Sequence, residues 1–110
     1  MWLTVAGMAY ESGSFETALA TAAGDDFALF AELRLAFLES ASRQLDLLRR
    51  SRCDANWQMA ALRLQGIAAS FHDEALVVYA RDALAGAPGD PAAVRRIGAH
   101  LDEIGGQIGV

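Results

Sequence analysis

Two histidines, one cysteine and fourteen carboxylates are the side chains from which this 110-residue chain could build chemistry. His72 sits between Phe71 and Asp73, and His100 borders a run of apolar positions near the C-terminus. No His/Glu spacing suggests a catalytic metal. Glu32 and Glu39 lack the accompanying Glu-x-x-His set of a di-iron bundle, so they read as a solvated face. Cys53 is the only cysteine. It excludes an internal disulfide and any thiolate zinc site, and no His/Asp arrangement singles it out as activated. It reads as a small residue near a helix junction. The serines read as helix caps and surface, with no Ser/His/Asp arrangement to single out. There is no phosphate-binding or dinucleotide glycine loop, because Gly105-Gly106 and Gly109 fall in a tail. These residues predict no catalytic group, no metal, no cofactor and no enzyme.

The formal net charge is −5. That argues against nucleic acid and against an anionic membrane, since both need a positive field. All nine basic residues are arginine, and nothing structural in the sequence accounts for it. Apolar residues make up 54% of the chain, which excludes disorder, and the length is that of one domain. Met1–Ala9 is apolar but short, lacks a basic leader and is followed by Glu11. It reads as neither a signal peptide nor a membrane span, so a cytoplasmic protein is expected. Met8 offers a second start. The expected organisation is an arm over 1–13, a helical bundle over 14–106 and a tail over 107–110.

Ala and Leu outnumber β-branched residues, and the punctuation is that of helices. Ser12 or Ser14 can cap a short first helix ending at Ala23, with Gly24 at its C′ position. Asp25 and Asp26 open a second, long helix to about Arg50. Its apolar stripe is Phe27, Phe30, Ala31, Phe37, Leu38, Ala41, Leu45 and Leu48. Arg34 interrupts that stripe, which implies snorkelling or a carboxylate from another helix. Asp54 reads as the cap of a third helix through Phe71, and Asp73 as the cap of a fourth carrying Leu76, Val77, Ala80 and Leu84 on one face. Asp90-Pro91 opens a fifth helix that buries Val94, Ile97, Leu101 and Ile104 and ends at Gly105-Gly106. No strand pattern competes. Short turns imply antiparallel neighbours, so the expected fold class is all-α: an antiparallel up-down four-helix bundle with a short extra N-terminal helix.

The third helix carries the most information. At about 100° per residue, Trp57, Ala60, Leu64, Ile67, Ala68 and Phe71 form one sufficient core stripe. Leu62 falls roughly opposite, with Met59, Gly66 and Ala69 beside it and Gln58, Gln65 and Ser70 on the flanks. A second apolar strip should therefore face away from the core, as a partner-binding face, as ordinary scattered surface residues, or under the N-terminal arm. Gly66 lies in it, although mid-helix glycine costs about 1 kcal/mol relative to alanine, which suggests that something approaches the backbone there. Trp57 reads as a core anchor, and Trp2 as either a docking residue of the N-terminal arm or a disordered residue.

The segment from Ala61 to His72 resembles the signature of histidine-containing phosphotransfer (HPt) domains. That signature runs histidine, any residue, leucine, lysine, glycine, a few small residues, then leucine-glycine. Leu64 stands at the leucine, Gly66 at the glycine, Ala68 and Ala69 at the small residues, and Phe71 at the closing apolar position. Gly24-Asp25-Asp26, Phe37-Leu38, Asp54 and Trp57 are similar to the usual lead-in, so the likeness extends over roughly 14–105. It implies a four-helix bundle with a short extra helix, and partners that are receiver domains of response regulators or sensor histidine kinases.

Three positions depart from the signature. Leu62 replaces the phosphate-accepting histidine, Gln65 replaces the lysine, and His72 stands where glycine is usual. Leucine has no nucleophilic nitrogen, so family-type transfer cannot pass through position 62. The resemblance therefore implies a degenerate, pseudo-HPt protein that docks its partner through Gln58, Met59, Leu62, Gln65, Gly66 and Ala69 without accepting phosphate. Two alternatives stay open. His72 could be the phosphoacceptor, although it lies about 15 Å further along the helix and about 80° around it. Or the chain is a structural bundle that self-associates through the Leu62 strip. A monomer or weak dimer is expected.

Overall fold

A computed structural model of the chain describes residues 15–109, with the side chains of 107–109 outside the description. The arm, Trp2, Met8 and the Ser12 and Ser14 caps lie outside the described residues. The described chain is all-helical. Residues 15–23 form α1, followed by α2 (Phe27–Arg50), α3 (Asp54–Ser70), α4 (Glu74–Ala85) and α5 (Pro91–Gly109). No strand occurs among the described residues. No helix there is long and apolar enough to cross a membrane.

The connections form where the local chemistry asks for them. Gly24 takes a left-handed φ of 64° after α1, a conformation that costs glycine little. Asp26 then caps α2, its Oδ1 accepting the Leu29 N–H at 3.0 Å. Helix α3 ends in a Schellman motif, with the Asp73 N–H donating to the Ala68 carbonyl (2.8 Å) and the His72 N–H to the Ala69 carbonyl (3.2 Å). His72 occupies the left-handed position of that motif, φ 59°. Asp90 precedes Pro91 and accepts the Ala92 N–H through Oδ1.

Helix α2 packs on α3 and α5, and α4 packs on α3 and α5. The space they enclose is filled by Phe37, Leu48, Trp57, Leu64, Leu76 and Ile97, all fully buried. Alanines line the α3 and α4 contacts, including Ala60, Ala61, Ala68, Ala80 and Ala83. Such small residues let helix axes approach at the short end of the usual separation. The buried Trp57 indole N–H donates to the Ala83 carbonyl at 2.9 Å, so the one polar atom of that ring is satisfied inside the core. Helix α1 is fastened through Phe15, whose ring lies 4.7 Å from that of Phe37, and through Glu16, which pairs with Arg34 at 2.6 Å. Of the two expectations for Arg34, snorkelling or a carboxylate from another helix, the second holds.

Four expectations need correction. Phe27 (89% exposed) and Ala31 are outside the core, because the buried part of α2 begins only at Arg34 and Phe37. The period is right, but in the first turns only Phe30 and Leu33 reach the core, and they are only partly buried. Asp54 is not the cap of α3. Cys53 is, in extended conformation and without a side-chain bond, and Asp54 contributes its charge in the first turn. Ala61, placed outside the α3 stripe, is fully buried. The fifth helix does not stop at Gly105-Gly106. Neither glycine takes a positive φ, and the helix continues through both to Gly109, where a C-terminal tail was expected.

Asp73 does double duty. Its carboxylate is 1% exposed, caps α4 through Oδ1 and the Leu76 N–H (3.1 Å), and meets His100 Nε2 of α5 through Oδ2 at 2.7 Å. Asp73→Ala removes a cap and leaves a mostly buried imidazole without its partner, which should cost about 2–4 kcal/mol in urea unfolding. Asp73→Asn keeps a capping oxygen and should cost clearly less. Equal losses would show that the cap contributes nothing.

Candidate functional site

Helix α3 has to bury Trp57, Ala60, Ala61, Leu64 and Ala68 against α2 and α4. Their shared side of the helix leaves the opposite side to solvent. Leu62 is 57% exposed and Met59 50% exposed, although both are large apolar residues. Gln58, Gly66 and Ala69 are exposed with them, and Gln65 is half-buried. The six residues expected to form a docking face therefore do lie on the outer side of α3, with Met59, Leu62, Gly66 and Ala69 as its apolar centre.

Gly66 sits in open space: a Cβ built on it would meet no atom within 4 Å. No contact inside this chain requires glycine there, and the helical backbone does not require it either. The glycine leaves a smooth patch of backbone beside Leu62.

The strip runs into hollows between α2 and α3. One, of about 310 Å³, is lined by Leu47, Arg50 and Ser51 from the end of α2 and by Asn56, Met59 and Arg63 from α3. The next, of about 460 Å³, is lined by Ser40, Gln44, Arg63, Gly66, Ile67 and Ser70. The Gln44 Oε1 is buried with no hydrogen-bond partner among the described residues. The α2 side of this face, Leu47 and Arg50 above all, was not marked by the sequence reading. The signal was present, since Arg43, Leu47 and Arg50 share one stripe of α2 at i, i+4 and i+7, but it needed the α2–α3 pairing to become visible.

The two histidines are placed apart from this strip. His72 is exposed at the end of α3 and lines a broad groove of about 770 Å³ on the α1 side, together with Thr17, Thr21, Leu33, Phe71 and Glu74. His100 is half-buried, bonded to Asp73, with its ring edge-on to Tyr79 at 5.7 Å. Cys53 is exposed. Among the described residues no group of three or more His, Cys, Asp or Glu could hold a metal ion. Chemically, the α3 face can offer apolar contact and guanidinium hydrogen bonds but no nucleophile at its centre.

Two substitutions separate this face from the core. Gly66→Ala should raise stability by about 1 kcal/mol, because it improves helix propensity where no atom stands in the way. Leu62→Asp should change stability by less than about 0.5 kcal/mol, whereas Leu64→Ala, in the core, should cost about 2–5 kcal/mol. Chemical denaturation of the three variants checks this, and a large loss with Leu62→Asp would place Leu62 in the core. No protein-family model, curated protein or solved structure matches this chain.

Proposed function

We propose that this chain is a pseudo-HPt adaptor of two-component signalling. It docks a receiver domain, or the matching part of a sensor kinase, on the outer face of α3 and accepts no phosphate there. One observation carries the reading: Leu62, at the position where the resembling signature has its phosphoacceptor histidine, lies 57% exposed in mid-helix, with Met59 and an uncovered Gly66 beside it. A leucine that merely replaced a core residue would be buried.

The layout supports the same reading. Four helices joined by short connections, each packed on two others, with a short helix ahead of them, suit an antiparallel up-down bundle of the HPt kind. The left-handed φ of His72 explains why the signature favours glycine at that position. Replacement of the lysine by Gln65 agrees with a face that never has to balance a phosphate. As an adaptor, the protein competes with true phosphotransfer domains for their partner, and nothing in that role requires a cofactor.

The test is a two-dimensional NMR titration of isotope-labelled protein with receiver domains encoded in the same genome. At least one should shift the amides of Met59, Leu62, Gly66 and Ala69, and Leu62→Asp should weaken that complex by about tenfold or more, the scale of losing one central apolar contact. The protein should hold no acid-labile phosphate after incubation with an autophosphorylated kinase and receiver. If phosphate appears and His72→Ala abolishes it, the adaptor reading fails in favour of transfer through His72. Sedimentation showing a dimer that Leu62→Asp dissociates, with no receiver bound, would instead make the strip a self-association surface.

A further inference from the structure

The charge of this acidic chain is strongly uneven. Residues 43–63, which end α2 and begin α3, contain five of the nine arginines but only two of the fourteen carboxylates, a formal +3. The remainder of the chain therefore carries −8. Within this segment, Arg50 and Arg63 line the hollow that also contains Leu47 and Met59. Arg43 lies on the same stripe of α2 as Leu47 and Arg50 and is exposed. Arg50 has an i,i+4 partner in Asp46 at 2.9 Å, but both side chains are more than half exposed, so that pair is weak and exchangeable. Arg49 does not belong to this face. Its Nη2 would lie 4.0 Å from a Cβ at Gly98 of α5.

Taking the adaptor reading above as given, we infer that the docking face continues across the α2–α3 hollow and takes a protein surface that is acidic around an apolar contact. Leu47, Met59 and Leu62 supply the apolar centre, and Arg43, Arg50 and Arg63 supply the collar. Methionine and arginine are enriched at protein interfaces, and the arginines along the α2 edge of this apolar centre can make bidentate bonds to carboxylates. Charge complementarity selects the sign of the partner. A basic surface would be repelled by the collar, and an acidic one is drawn to this end of the molecule while the −8 remainder turns it away from every other face. The same imbalance disfavours an anionic bilayer, which presents too broad a plane to avoid the acidic remainder.

The experiment uses the full labelled chain and two peptides of equal length, each with leucines at helical i, i+3 and i+7 positions. One carries glutamates on the flanks and the other lysines. The glutamate peptide should shift the amides of Leu47, Arg50, Met59 and Arg63. Its Kd should rise about tenfold between roughly 0.05 and 0.5 M salt, since screening shortens the reach of exposed charges. The double variant Arg50→Ser, Arg63→Ser should weaken it several-fold. Both arginines are exposed, so this variant should unfold at the wild-type denaturant concentration. Equal binding of the lysine peptide, shifts centred elsewhere, or indifference to salt overturns the inference. So does cosedimentation with phosphatidylglycerol vesicles, which would assign the face to lipid. The receiver titration separates the two claims. Receiver binding at Leu62 without salt dependence leaves the adaptor reading and removes the collar. Glutamate-peptide binding with every receiver silent keeps the acidic specificity and removes the adaptor reading.

Discussion

Helix α3 is held at both ends, and the rest of the structure is arranged around that constraint. Near its start, Trp57 is driven into the core and its indole N–H is tied to the Ala83 carbonyl of α4. At its finish, the Schellman motif delivers Asp73, which caps α4 and holds His100 of α5. Rotating α3 by even one residue would pull a tryptophan out of the core and leave a buried carbonyl unpaired, at a cost of several kcal/mol. With both ends pinned, Ala61 and Leu64 must point inward, and Leu62 between them must point out. The exposed leucine is thus a consequence of the core and not a local accident.

Much of this was legible in the sequence because it depends on period and punctuation. The 3.6-residue repeat marked α2 to α5, Gly24 and Asp26 marked the α1–α2 junction, and the α3 wheel put Leu62 opposite Leu64. Arg34, by interrupting an apolar stripe, implied either snorkelling or a carboxylate from another helix, and Glu16 supplies the carboxylate. What was not legible depends on neighbours distant in the chain. Asp73 and His100 are separated by 27 residues, and only the packing of α4 on α5 brings them together. Phe27 keeps the period of the stripe but lies beyond the helices that could bury it. Glycines such as Gly105 and Gly106 commonly end helices, often with a positive φ, but neither takes one here and the helix runs on through both. Leu47 and Arg50 became part of a surface only once α2 lay beside α3.

The resulting face has a consistent chemistry. Its centre, Leu62 and Met59, is apolar and carries no nucleophile, Gly66 leaves a bare stretch of helix, and guanidinium groups line its α2 edge. The strip is also separate from the core, which faces the other side of α3. Large apolar residues are therefore exposed on α3 without being taken from the core of the bundle. The Gly66 backbone carries the clearest cost, since alanine would make a more stable helix.

The most direct measurement of the central claim is photo-crosslinking with a benzoylphenylalanine placed at position 62 or, as a control, at Val78. Val78 is a comparably exposed apolar residue on α4. In the presence of receiver domains from the same genome, the probe at position 62 should capture a receiver and the probe at position 78 should not. Equal capture at both positions, or capture at neither, would contradict a docking role for the Leu62 face.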